Sequence, residues 1–189
     1  MQATDRLSAL AKHFDSEKYR SFHRTMAFNE YLDACYDEPK LVRSAYQRMF
    51  DMIMSKGINS FERYRKTVTH YNFFDDIDTP IYGLEETIHQ LVLAIRGAAG
   101  WYGPEKRVVL LHGPVGSSKS TICRCLKRGL EKYSQTDAGS LYTFKWVNLP
   151  QGLYVKNEAM DPMHEDPIKL LPLDIRRTLE GEFNTLMVD

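Results

Sequence analysis

Cysteine is scarce in this chain: Cys35, Cys123 and Cys125 are the three in 189 residues. An odd, small number in a chain long enough for an apolar core excludes the disulfide-stapled scaffolds of small secreted domains, and reduced thiols are expected. Charge of one sign is not in excess either, because 25 Lys and Arg balance 25 Asp and Glu. No overall field draws the protein to nucleic acid or to an anionic membrane, which leaves at most a local patch for such partners. Long apolar runs are missing: none approaches the roughly 18 residues of a spanning helix. The opening MQATDRLSALAKHF has no charged-then-apolar leader pattern. No membrane partner is expected, and the cytoplasm is the expected location. Internal repeats and low-complexity tracts are lacking too, which excludes solenoids and arrays.

What remains is ordinary for a folded protein, 43% apolar and 26% charged. Residues 1 to 60 read as a helical N-terminal region with no alternating strand pattern. Helices are predicted from about Thr4 to His13, near Ala27 to Tyr36, and after Pro39. In the third, Leu41, Ala45, Tyr46, Met49, Met52 and Ile53 recur at helical spacing, and Gly57 is the expected stop. The following stretch, FERYRKTVTHYNFFDDIDTPIYG, is aromatic and charged and ends in a Thr79-Pro80 break. After it, Leu84, Ile88, Leu91, Val92 and Ile95 mark one helix face, closed by Gly97 and Gly100.

The segment RVVLLHG is short, apolar and turn-bounded, so it predicts a buried strand. Helical spacing resumes through Ile122, Leu126 and Leu130, and SLYTFKWVNL reads as a second strand. Beyond Pro150 a loop-rich, proline-punctuated connection leads to a last helix near Ile175 to Leu186.

Between the first strand and its helix stands GPVGSSKST, residues Gly113 to Thr121. A phosphate-binding loop has the form G-x-x-x-x-G-K-[ST], and here Ser118 occupies the last glycine position. The chemistry needs these residue types. Glycines let backbone N–H groups curl around phosphate oxygens, the new helix aims its N-terminal amides at the anion, and Lys119 adds a mobile positive charge. Ser120 would offer its hydroxyl to a phosphate-bound Mg²⁺. Serine is small, and helix-like dihedrals at 118 would let its Cβ be tolerated.

Other clusters predict no site. Cys123 and Cys125 lie two apart on a helix and point to different sides. His164, Glu165 and Asp166 read as a solvated turn, and the basic face of the helix after the loop as solvated surface. Met49, Met52 and Met54 read as core filling or helix surface. Asp189 ends too short an apolar run, within a predicted helix, to supply a second Mg²⁺ ligand.

Several stretches together resemble the AAA-type ATPase domain of the PrkA serine protein kinase family. They are MAFNEYLDACYDEPKLVRSAYQRMFDMI, FFDDIDTPIYGLEETIHQLV, LLHGPVGSSKSTICRCLKRGLEKYS, LYTFKWVNL and DPMHEDPIKLLP, in that order from about Ala27 to the end. The resemblance implies an α/β P-loop NTPase fold of AAA type with a parallel-sheet core, incomplete here and preceded by the helical region. Residues 61–189 would be its first part. It implies that Gly113, Pro114, Val115, Gly116, Ser117, Ser118, Lys119, Ser120 and Thr121 form a Walker A loop around ATP. Lys119 would lie on the β- and γ-phosphates and Ser120 on Mg²⁺. Ile81, Tyr82 and Gly83 match the place where AAA-type ATPases meet adenine.

Members of the family are much longer, so the chain is expected to be an N-terminal fragment. The implied activity is phosphoryl transfer from Mg-ATP to serine of an unidentified protein substrate. Residues for that chemistry would lie in the missing part. Ring assembly is common among AAA-type ATPases, so a homo-oligomer is also implied. Two other readings stand beside it: a regulatory ATPase that remodels a partner, and a non-catalytic interaction module.

Overall fold

The computed structural model describes residues 23–63, 65–75, 80–149 and 158–183. The predicted helix at 4–13 and the end of the chain, with Asp189, lie outside the described residues.

Helix α1, Phe28–Asp37, opens where Glu30 reaches back to accept the Ala27 amide at 2.9 Å. The periodic segment after Pro39 is broken in two. A single 3-10 turn, Pro39–Val42, is followed by an extended Arg43, and α2 then runs Ala45–Met54. The break belongs to Ser44. Its Oγ accepts the Gln47 amide at 3.3 Å while Gln47 Oε1 accepts the Ser44 amide at 2.9 Å, a reciprocal capping box.

A hairpin follows that the sequence pattern did not assign. Strand β1, Ile58–Arg63, pairs antiparallel with β2, Lys66–Tyr71, in a register that sets Ile58 opposite Tyr71 and Arg63 opposite Lys66. Residue 60, the expected end of the helical region, lies inside β1. The tight turn contains Arg65 at φ 62° rather than the glycine that normally announces such a reversal.

Helix α3, Glu85–Ala99, buries Ile88, Val92 and Ile95 as its spacing predicts, and ends at Gly100. Helix α4, Lys119–Tyr133, buries Ile122 and Cys125. Their stripes meet Met52 and Ile53 of α2, Tyr71 of β2, and Phe73, Phe74 and Ile81 in one apolar cluster. A second cluster joins Tyr31 and Cys35 of α1 to Leu41, Val42, Ile168, and Leu179 and Phe183 of α5, Leu173–Phe183.

Arg48 lies between these clusters, buried, with its guanidinium spread over backbone carbonyls. Nε donates to Arg43 O at 3.1 Å, Nη1 to Gly139 O and Ser140 O at 3.2 and 3.0 Å, and Nη2 to Leu41 O. Such a fork satisfies four carbonyls from two separate turns at once, which a point charge could not do.

The buried strand expected at RVVLLHG is not present as such. Val108 and Leu110 are 93% and 82% exposed. A parallel-sheet strand is buried only when neighbouring strands and helices cover it. Among the described residues the sheets are two antiparallel pairs, β1 with β2 and β3, Lys145–Val147, with β4, Glu158–Met160. No described strand covers residues 107–113, so the apolar run stands open. The second predicted strand shortens to β3, and its partner comes from the proline-punctuated connection.

Candidate functional site

The loop Gly113–Ser118 leads directly into α4, so its backbone faces the first turn of that helix, whose leading amides have no intrahelical acceptor. Lys119 is the first helical residue, and its side chain folds back over the loop. Its Nζ donates to Gly113 O at 2.8 Å, Pro114 O at 2.5 Å and Ser117 Oγ at 2.9 Å. Ser117 Oγ in turn donates to Pro114 O at 2.8 Å. The loop is thus a small closed ring with an ammonium at its centre.

Gly113 is needed for this closeness. A Cβ there would sit 2.9 Å from Ser117 Oγ and 3.9 Å from Lys119 Nζ. Gly116, at φ +84°, occupies the left-handed region without strain.

Ser118 departs from expectation. Its φ and ψ are 56° and 13°, left-handed rather than helix-like, and its side chain makes no capping hydrogen bond. The conformation is one that glycine adopts freely and an L-residue adopts at a cost. The reason is geometric: the chain must reverse between Ser117 and the first helical turn, and position 118 carries the reversal. Its carbonyl still accepts the Ile122 amide at 2.9 Å, so the helix begins in register.

Ser120 is exposed on the first turn of α4. Together with Lys119, Cys123, Arg124, Val109 and Leu111 it borders an open cleft of about 780 Å³ between α4 and the uncovered 107–113 run. That volume is within the range of small-molecule sites, roughly 300–1,000 Å³. Thr121 follows, half-buried, while Pro114 and Val115 form the exposed outer wall of the loop.

The groups here that could meet a phosphate are donors, namely the Lys119 ammonium, the leading amides of α4 and the Ser120 hydroxyl, while the Gly113 and Pro114 carbonyls and Ser117 Oγ are acceptors that hold the ammonium in place. Among the described residues no cluster of three or more His, Cys, Asp or Glu could hold a metal by itself. A magnesium ion here would therefore depend on the phosphates and the Ser120 hydroxyl.

The three residues matched to adenine separate. Ile81 is buried in the main cluster, its amide donating to Phe74 O at 3.4 Å, whereas Tyr82 is 76% exposed and Gly83 leads into α3. Ile81 shares its cluster with Ile122 of α4, which is how the segment is tied to the loop helix.

A second cavity of about 540 Å³, bordered by Val42, Met49, Leu130, Tyr133 and Ile168, contains no loop residue. At its edge Asp166 corrects the solvated-turn expectation. Asp166 is half-buried and its Oδ1 accepts from Tyr31 OH at 2.6 Å and from the Ile168 amide at 3.0 Å. Burial pushes its carboxyl up, against the pull of Tyr31, the Ile168 amide, Arg48 and Lys169. The Tyr31 hydroxyl is also raised, by burial first and by the Asp166 charge second. His164 and Glu165 behave as expected, His164 exposed and Glu165 paired with Lys169 at 3.3 Å. Cys35 and Cys125 are buried and Cys123 is exposed, with no disulfide among them.

The profile of the PrkA AAA domain family matches residues 26–187. This chain belongs to that family. It is 35% identical over 172 residues to the protein named ATP-dependent protease PrkA of Bacillus subtilis (strain 168). The match covers 88% of this chain and 24% of that one, so the chain spans about a quarter of its relative's length. A protein of Geobacillus stearothermophilus, uncharacterized and named for the gldA 5' region, is 31% identical over 88 residues, 47% of this chain and 81% of that one. No solved structure matches.

Membership of the PrkA AAA domain family makes this an ATP-binding AAA-type domain. Among the described residues no helix is long and apolar enough to cross a membrane. Ser117, whose hydroxyl closes the ring around the Lys119 ammonium, drew no separate role from sequence. A serine inside a glycine-rich loop carries no periodic or compositional signal, and only the distances reveal it.

Proposed function

We propose that this chain supplies the first part of an AAA-type module that binds Mg-ATP at Gly113–Thr121. Lys119 would meet the β- and γ-phosphates, the first-turn amides of α4 the phosphate oxygens, and Ser120 the metal. The observation that carries the reading is the Lys119 ammonium held inside a ring of loop acceptors at the head of a helix. Bound magnesium would neutralise phosphate charge there, and the chain's own contribution is to bind, orient and desolvate the phosphates.

On this reading residues 1–60 are the entry region, with α1 and α2 as its described helices and its boundary falling inside β1, and 61–189 are the beginning of the P-loop unit. The two are joined through the hairpin and the cluster that Met52 and Ile122 share. The uncovered run 107–113 would be the loop's leading strand in a parallel sheet completed by further strands. Tyr82 and the backbone of Ile81 and Gly83 would meet the adenine. The sparse, unpaired cysteines suit a reducing compartment such as the cytoplasm.

The γ-phosphate has two destinations. Water is the acceptor if hydrolysis drives work on a protein, which fits the ATP-dependent protease name of the Bacillus subtilis relative. A protein serine is the acceptor if the module serves a kinase. In both cases the partner is a protein, and subunits would assemble as AAA-type modules do. Incubating the full-length protein with γ-labelled ATP separates the two. Label released as free phosphate supports the first, and label on serine supports the second. No turnover with wild-type protein, or turnover unchanged by Lys119→Ala, contradicts both.

A further inference from the structure

An ammonium has three N–H donors. In Lys119 all three have acceptors inside the loop: Gly113 O, Pro114 O and Ser117 Oγ, at 2.8, 2.5 and 2.9 Å. The third acceptor differs from the first two. A loop carbonyl is fixed by the backbone, whereas the Ser117 hydroxyl is aimed by its own hydrogen bond to Pro114 O at 2.8 Å. With its proton committed there, Ser117 Oγ presents a lone pair to Lys119. The Ser117 amide points at the same carbonyl, 3.4 Å away, which holds the residue over Pro114 from two directions. Gly113 leaves room for the arrangement, since a Cβ there would strike Ser117 Oγ.

We propose that Ser117 is a latch on Lys119: a positioning residue that holds the ammonium against the loop's own acceptors, so that a phosphate gains the lysine only by displacing it. The inference rests on the reading of the loop as a phosphate cradle and adds regulated entry to that site. A phosphate anion competes for the ammonium because a charge-assisted bond between two ions is stronger than one to a neutral hydroxyl. The hydroxyl sets the threshold. An uncharged nucleoside has nothing to exchange for the three bonds, whereas a di- or triphosphate brings several anionic oxygens. The latch therefore lowers overall affinity while favouring ligands with adjacent phosphoryl groups.

Two readouts test it on the full chain, one of which needs no nucleotide. In the first, Lys119 acetylation by N-hydroxysuccinimide acetate is followed by mass spectrometry in wild type, Ser117→Ala and Ser117→Thr, with the exposed Lys106 and Lys132 as internal references. A single hydrogen bond with one charged partner corresponds to at least about tenfold. Lys119 should react faster by that factor in Ser117→Ala and at the wild-type rate in Ser117→Thr, with the references unchanged. Equal Lys119 rates in wild type and Ser117→Ala overturn the latch. In the second readout, Mg-ATP titration, Ser117→Ala should bind at least about tenfold tighter. Weaker binding by Ser117→Ala overturns the latch and makes the hydroxyl a phosphate ligand instead. If no variant binds nucleotide but Lys119 reactivity still follows Ser117, the positioning role is supported and the phosphate-cradle reading is the part that fails.

Discussion

Replacing Ser118 with glycine should stabilise this protein, although glycine at the head of a helix is ordinarily a loss. Ser118 sits at φ 56°, ψ 13°, and its side chain caps nothing. A non-glycine residue in that left-handed region costs about 1–2 kcal/mol. Glycine relieves the strain but adds freedom to the unfolded chain, which costs about 0.4–1 kcal/mol. The net expectation is a gain of about 0.5–1 kcal/mol. For a chain of this length that corresponds to roughly 1–4 °C in Tm. Urea unfolding is the cleaner assay: the midpoint should rise while the slope stays constant, because the surface exposed on unfolding is unchanged. Ser118→Ala is the companion variant. It keeps the Cβ and removes a hydroxyl that makes no cap, so it should shift stability by less than about 0.5 kcal/mol. If Ser118→Gly instead destabilises by about 1 kcal/mol, the usual penalty for glycine in a helix, then residue 118 is helical and the reversal lies elsewhere.

Gly129→Ala should destabilise in spite of alanine's better helix propensity. The added Cβ would lie 2.5 Å from Phe73 Cζ and 2.9 Å from Met52 Sδ, both on buried side chains. Overpacking of about 1–3 kcal/mol should outweigh a propensity gain of about 1 kcal/mol, as a lowered urea midpoint would show. Asp166→Asn should reshape the pH dependence of stability. Burial raises the folded-state pKa of Asp166, so its contribution is full below the ordinary carboxylate value of about 4 and is lost as pH rises through the raised value. Wild type should therefore compare best with Asp166→Asn at acid pH and lose ground toward neutrality. A difference that moves the other way with pH would contradict the burial account.

The helices were legible because burial repeats along them. Ile88, Val92 and Ile95, and again Ile122 and Leu126, lie on the stripes their spacing marks, and Gly100 ends the helix it was expected to end. The order of loop, lysine and helix could likewise be read directly. The hairpin could not, since its turn uses Arg65 in place of glycine and all of β1 is exposed, which erases the alternation that identifies a half-buried strand. Val108 and Leu110 show the opposite failure. Their composition asks for burial, but burial is supplied by neighbours, and no described strand lies beside them. Tyr31 and Asp166 meet across 135 residues of sequence, a contact that no local pattern encodes. Ser118 misled for a subtler reason. Its size suited the loop, while its dihedrals depended on where the chain turns.

The central claim is that the loop at Gly113–Thr121 binds Mg-ATP through Lys119, and calorimetric titration of Mg-ATP into wild type and Lys119→Ala tests it most directly. Saturable binding by the wild type, weakened at least about tenfold in the variant by loss of a charged phosphate contact, is the predicted result. Absence of binding in the wild type, or equal affinity in the two proteins, would contradict it.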